Sequence, residues 1–434
     1  LSSYGDRQKA KEIFFASLKA VDPYEVVRAH MEGVLQRYHT GGYKEVFLIA
    51  IGKASCRMAE AAEEALEGIN YRGGVITKYG HSEGFRSERL SLYEAGHPVP
   101  DLKGQEATEE LLRVAQNIDE KTLCLCLISG GGSALFVSPV EGLTLQDKQS
   151  ITEALLRSGA DIVELNTVRK HLSKVKGGRL AERLYPSFTM TFLLSDVLKD
   201  RLDIIASGPT VPDPSTYKDA YRVLQKYGLV DDAPEGILKV LNEGMKGLRE
   251  ETPKQDSPVF KKVENIIVGS NRTALYAAYR KAETIGLQPK ILTDSLQGEA
   301  REAGRWLAEK AKEVKDALEG PVCLISGGET TVTVKGKGKG GRNTELALSF
   351  ALEIDGVEGI TLLSAGTDGT DGPTDAAGAV VDSETIKKAR ARGLDPLLFL
   401  DDNDSYTFFH QTGELLITGP TGTNVMDIQI VIVR

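Results

Sequence analysis

VFLIAIGKASCRMAEAAEEAL, residues 46–66, decides the fold class. Its first six residues form an apolar, strand-like run. GKAS (52–55) is a small-residue turn, and RMAEAAEEAL (57–66) reads as a helix. The same unit recurs along the chain. TLCLCLI (122–128) runs into SGGGS (129–133), MTFLLS (190–195) into DVLKD, and NIIVGSN (265–271) into the helical RTALYAAYRKAETIG. PVCLI (321–325) leads to SGGETT, and GITLLS (359–364) to AGTDGTDGPTD. Strands alternating with helices predict an α/β protein with largely parallel pairing. Ligands of such folds sit at the carboxyl ends of the strands, where these small-residue loops lie.

A chain of 434 residues exceeds one ordinary core, so two domains are expected. PTVPDPSTYKD (209–219) and EGMKGLREETPKQDSP (243–258) are turn-rich and charged, which places the boundary within 245–260. The expected domains are therefore 1–250 and 251–434, two α/β bodies facing across a cleft, a common setting for ligand sites. A net charge of −9 argues against nucleic acid or bilayers as partners. Four cysteines (56, 124, 126, 323) make no disulfide framework at this length, and Cys124 and Cys126 read as core. No run of 18 apolar residues predicts a membrane span, and LSSYGDRQKAKEIFF carries charges where a signal peptide needs an apolar stretch. The expected compartment is the cytoplasm.

VKGKGKGGRNTE (334–345) interleaves Lys335, Lys337, Lys339 and Arg342 with Gly336, Gly338, Gly340 and Gly341. Glycines let backbone N–H groups approach a ligand, and the cations neutralise it, so the loop suits a polyphosphate. TTVTV (330–334) before it reads as a strand and NTELALSFALEI (343–354) after it as a helix. The literal G-x-G-x-x-G at 336–341 admits a dinucleotide reading, while Arg342-Asn343 excludes a P-loop. A solvated hinge is the plain alternative.

Other strand ends carry further candidates. Lys53 precedes a helix, where its ammonium and the helix terminus both favour an anion. SGGGSAL offers the backbone of Ser129, Gly130, Gly131, Gly132 and Ser133 as an anion cradle, and it lacks the closing glycine of G-x-S-x-G, which disfavours Ser133 as a nucleophile. Asp196 suits a metal or a hydroxyl proton, against the alternative of a turn cap. Asp368, Asp371 and Asp375 share a glycine-rich loop without EF-hand spacing, suited to Mg²⁺ held jointly with phosphate oxygens. Six histidines are scattered without zinc spacing, His97 and His171 standing out by their surroundings. Cations, anion nests and carboxylates at several strand ends describe phosphoryl transfer, which asks mainly for positioning and charge neutralisation.

GKAS, EAGHPVPD (94–101), SGGGSAL, GADIVELNTVRKHLSKVKGGRLA (159–181), IASGPTVPD (205–213), SGGETTVTVKGKGKGGRNTE (326–345), SAGTDGTDGPTDAAGA (364–379) and TGPTGTNVMDI (418–428) occur in order. Together they closely resemble the glycerate 2-kinase family, the class with a C-terminal MOFRL domain. The resemblance implies two three-layer α/β domains, Rossmann-like over 1–250 and a mixed-sheet MOFRL domain over 251–434. It implies ATP and Mg²⁺ or another divalent cation as cofactors, and D-glycerate as the substrate phosphorylated at its 2-hydroxyl. Oligomeric state stays open, a homodimer included. Carried over, Lys53, Arg342 and Asp196 are catalytic, and Ser129 to Ser133, Lys337, Lys339 and Gly341 bind phosphate. Asp196 and Asp368 bind the metal. LSDVLKDRLD departs from the proline-glycine turn that the family more often has after Val197. Some members once carried the label hydroxypyruvate reductase, so a nicotinamide-dependent reductase is the alternative reading.

Overall fold

A computed structural model of the chain describes residues 2–317 and 320–434. It consists of two compact α/β units. One comprises Pro23–Ser195 and Asp200–Val268. The other comprises the chain up to Asp22, Asp196–Lys199 and Gly269–Arg434. Among the described residues no helix is long and apolar enough to cross a membrane.

The first unit is built on β1 (Glu45–Ile51), β2 (Tyr71–Lys78), β3 (Leu90–Ala95), β4 (Thr122–Ile128), β5 (Phe188–Leu194) and β6 (Val263–Gly269), in the spatial order β3-β2-β1-β4-β5-β6. β1 pairs in parallel with both β2 and β4, and the β2–β3 and β4–β5 pairs are parallel too. Val46–Ile51 and the whole of β4 are buried, as continuous apolar runs require in a sheet covered on both faces. This strand order is that of a doubly wound sheet, in which connections leave β1 and β4 toward opposite edges and open a crevice at their carboxyl ends. The fold therefore sets GKAS beside SGGGS, although about 75 residues separate them.

The second unit holds β7 (Gln288–Leu296), β8 (Val322–Gly328), β9 (Ile360–Gly366), β10 (Gly378–Asp382), β11 (Leu415–Leu416) and β12 (Asp427–Val433), in the order β11-β10-β9-β12-β8-β7. Only β7 and β8 pair in parallel. β12 enters between β8 and β9 and runs antiparallel to both. The largely parallel pairing expected from alternation thus holds for the first sheet, and the second is mixed. TTVTV is not a strand. Only Thr331 makes a bridge there, to Glu299.

The units divide differently from a cut at residue 250. β6 completes the first sheet. The helices Tyr217–Lys226 and Glu235–Met245 bury Leu224, Ile237 and Leu241 in a core shared with Leu155 and Val168, so the turn-rich stretch after them stays within the first unit. At the other end, the helix Ser2–Ala20 belongs to the second unit through its arginine. Arg7 donates to Val380 O (2.8 Å), Asp382 (2.6 Å) and Glu414 (2.6 Å), and both carboxylates are almost wholly buried. Removing one partner of a buried pair leaves the other charges uncompensated. Arg7→Ala is expected to destabilise the second unit by about 3–5 kcal/mol, read as a lower urea midpoint, with Arg7→Lys intermediate.

Candidate active site

At the switch point the loops after β1 and β4 interlock. Ser129 N–H donates to Ile51 O (2.9 Å), and Lys53 N–H donates to Gly130 O (2.9 Å). The Ser129 hydroxyl accepts from Ala54 N–H (3.1 Å). Gly52 has φ +121°, and a Cβ there would lie 2.2 Å from Ser129 Oγ, so only glycine allows this approach. Lys53 emerges from the clasp just before the helix Ser55–Ala65.

Gly131 has φ +84°. A Cβ on it would meet His97 Cδ2 at 2.9 Å and Lys53 Cε at 3.3 Å, so the imidazole and the lysine converge on the glycine loop. His81 brings Nδ1 to 3.2 Å from Lys53 O. Burial, then the positive charges of Lys53, Lys78 and His81, lower the His97 pKa to about 4. Every charge acting on that ring is cationic. A bound anion is what such a cluster favours.

The five loop residues divide in role. Ser129 is a buried clasp rather than an exposed phosphate ligand. Gly130 supplies its carbonyl to Lys53, and Gly131 forms the floor under His97. Gly132 packs against Ala206. The Ser133 hydroxyl pairs with that of Ser207 (2.8 Å), which in turn donates to Asn166 Oδ1 (3.0 Å). Ala206 and Ser207 hold φ of +50° and +62°, and Lys199 and Asp200 hold +61° and +52°. Left-handed backbone at non-glycine residues is strained and gathers at functional sites. It also explains the departure noted in LSDVLKDRLD, where Lys199 and Asp200 adopt a conformation that glycine takes more readily.

In the second unit Arg342 opens the helix Arg342–Glu353. Its fork closes on buried Asp427 (Nε 2.5 Å, Nη2 2.9 Å), and Nη1 lies 2.9 Å from Glu329. Burial raises the Glu329 pKa. Arg342 opposes the shift, and Asp427, Asp196 and Asp368 add to it. Asp196 and Asp368 therefore bear on the same locus as Arg342. The Asp368 carboxylate accepts from the Thr370 N–H and hydroxyl (both 3.0 Å). Asp371 and Asp375 serve elsewhere. Asp371 is buried and accepts from Asn343 and Thr344 N–H (both 2.8 Å), capping the helix, while Asp375 accepts from Tyr406 (2.7 Å).

The glycine-lysine loop differs from the nest its composition suggests. Lys335 and Gly336 N–H both donate to Asn403 Oδ1, Lys337 N–H to Asp402, Lys339 N–H to Asp404, and Gly341 N–H to the Thr344 hydroxyl. These donors are spent within the protein, so the backbone of this stretch, Gly341 included, is not a free anion cradle. Lys335, Lys337 and Lys339 are exposed, with Lys339 over the Tyr406 ring at 4.3 Å. His171 is a packed residue, fully buried between Thr167 O (2.7 Å) and Glu251 (3.1 Å). Sequence reasoning missed Glu329 and Asp427, which lie inside the quoted SGGETT and TGTNVMDI stretches.

Comparison with known proteins turns this geometry into a family. Residues 9–242 match the model described as a domain of unknown function (DUF4147), and residues 322–427 match the MOFRL family. The D-glycerate 2-kinase of Thermotoga maritima is 48% identical over 427 residues, covering 98% of this chain and 97% of that protein. The chain belongs to the glycerate 2-kinase family with a MOFRL domain. The glycerate 2-kinase of Pyrococcus horikoshii is 43% identical, covering 96% of this chain and 95% of that one. A solved structure of the Thermotoga maritima glycerate kinase superposes with a TM-score of 0.91 at 47% identity, covering 99% of this chain and all of that one.

His97 gives a direct test of the first-unit site. Its imidazole stays neutral from its ordinary value of 6.5 down to about 4. The unfolded chain takes up that proton first, so native stability falls as pH drops through this window. Ring NMR should place the His97 midpoint near pH 4. Inorganic triphosphate should move it upward by offsetting the lysines. A midpoint that ignores the anion contradicts the site.

Proposed function

We propose that this chain is an ATP-dependent kinase that phosphorylates D-glycerate at its 2-hydroxyl. The observation that carries the reading is the convergence of Lys53 and neutral His97 on Gly131 at the switch point. Phosphoryl transfer needs placement and charge neutralisation more than covalent help from the protein. Lys53, fixed by the Ser129 clasp, neutralises charge that develops on the transferring group. His97 adds a hydrogen-bonding ring there without a second full charge. Gly130 to Gly132 let the substrates come close to the backbone, and Ser133 offers a hydroxyl.

Mg²⁺ usually binds through one or two carboxylates plus phosphate oxygens, keeping several waters. Among the described residues no group of three or more His, Cys, Asp or Glu side chains forms a cation cage. Asp196 and Asp368 meet the smaller requirement and would hold the metal, whose chemistry is Lewis-acid neutralisation of phosphate charge. Arg342 is oriented by Asp427 and keeps about a third of its side chain exposed, enough to meet a phosphate oxygen without opening that fork. Lys337 and Lys339 act as long-range charges that attract the nucleotide.

The test is incubation with ATP, Mg²⁺ and D-glycerate, with the product identified by phosphorus NMR. 2-Phosphoglycerate and ADP are expected, and Lys53→Ala should lower kcat by about 10²-fold at an unchanged Tm. A product phosphorylated at the 3-position overturns the regiochemistry. NADH oxidation with hydroxypyruvate, without phosphoryl transfer, gives the case to a reductase.

A further inference from the structure

Beside Ser133 the first unit buries cations that no carboxylate balances. Lys148, on the helix Leu145–Arg157, is 5% exposed, and its Nζ has no hydrogen-bond partner. Asn166, on the helix Ile162–His171, is 3% exposed. Its Oδ1 accepts from Ser207, and its Nδ2 has no partner. Arg169 follows one turn later, on the same side of that helix as Asn166. Lys176 completes the group, its Nζ donating to Ser133 O (2.7 Å) and Phe136 O (3.2 Å). Burial lowers the pKa of Lys148 to about 7 and also depresses Arg169 and Lys176. The charges that act on Lys148 and Lys176 come from Arg169 and Lys148, all cationic.

Burying an unpaired ammonium is costly, and an unpaired amide N–H adds to that cost. Lys176 is accounted for as a cap on two carbonyls. Lys148 and the Asn166 amide have no such internal account. Asn166 touches the Ser133–Ser207 hydroxyl pair that borders the glycine loop through its Oδ1, and Lys148 repels Lys176, whose Nζ holds Ser133 O. An oxyanion is the group whose chemistry complements these donors. Donors buried this deeply suit a small oxyanion better than a metal-bound polyphosphate, which needs an open approach.

We propose that Lys148, Asn166 and Arg169 form the subsite for the carboxylate of the hydroxy-acid substrate. This rests on the kinase reading above. Ser133 and Ser207 lie next to it, on the side of the switch-point loop, where the substrate's hydroxyl end would continue. A single phosphate group shares the oxyanion chemistry, so the experiment separates the two.

The full-length protein, wild type and as Lys148→Met and Asn166→Leu, is titrated by calorimetry with D-glycerate and with inorganic phosphate, both without nucleotide. Initial rates are measured in parallel. D-glycerate should bind the wild type and lose about tenfold or more in each variant, the scale of a lost charge-assisted hydrogen bond. KM for D-glycerate should rise to match, with KM for ATP within about twofold. Lys148→Met should keep or raise Tm, because it removes an unpaired buried charge. A structural lysine would instead lower Tm and leave binding unchanged, which overturns the proposal. So does D-glycerate binding that ignores both variants, a rise in the KM for ATP alone, or variants that lose only inorganic phosphate. Wild type that binds D-glycerate through Lys148 but makes no phosphoglycerate supports the subsite and rejects the kinase reading.

Discussion

The Ser129 clasp is the constraint on which the first unit's chemistry depends. One side chain joins the ends of two parallel strands. Its hydroxyl holds Ala54 N–H, its own N–H holds Ile51 O, and Gly52 leaves the space that both need. A single buried hydrogen bond contributes only about 0.5–1.5 kcal/mol to stability. Its larger effect is positional, because Lys53 sits between the residues so fixed, and a displaced cation loses much of its value to a transition state. The doubly wound order makes the clasp available, since only at the switch point do two neighbouring loops turn away from each other.

Both units hold buried ion pairs, such as Lys170 with Asp213 in the first. In the second the paired sets are larger. Arg342 meets Asp427 and Glu329, Arg7 meets Asp382 and Glu414, and the lysine loop's N–H groups meet Asp402, Asn403 and Asp404. In the first unit, Lys53 and Lys78 press on His97, Arg169 on Lys148, and both Lys148 and Arg169 on Lys176, with no carboxylate among the largest influences. Satisfied networks hold a fold in one arrangement. Unsatisfied cations mark where a ligand supplies the missing charge. Under the proposed function, carboxylate-framed Arg342 would anchor metal and phosphate, and the first unit would capture the acidic substrate.

Much of this was legible in the sequence, for reasons that particular residues show. TLCLCLI matches β4 residue for residue, and GKAS and SGGGS stand at strand ends as read. Their partnership was not legible, because Ala54 and Ser129 meet only through sheet order. VKGKGKGGRNTE misled because its composition describes donors and cations but not the carboxylates that take them up, which lie more than 60 residues away. Lys148 and Arg169 were unreadable for the opposite reason. Charged residues on helices normally face water, and nothing in the local pattern reports that Lys148 is buried and Arg169 half-buried. The boundary at 250 followed turn composition, whereas β6 and the Arg7 helix follow hydrogen bonding and ion pairing over long range.

Ser129→Ala tests the central claim most directly, with kcat and the His97 midpoint measured on the same sample. The substitution deletes the acceptor of Ala54 N–H and leaves the glycine loop, Lys53 and His97 in place. If the clasp sets the position of Lys53, kcat falls about tenfold or more while Tm drops by only a few degrees, and the His97 midpoint rises toward 6.5 as the lysine moves away. Unchanged kcat together with an unchanged His97 midpoint would show that Lys53 holds its place without Ser129, and would contradict the account.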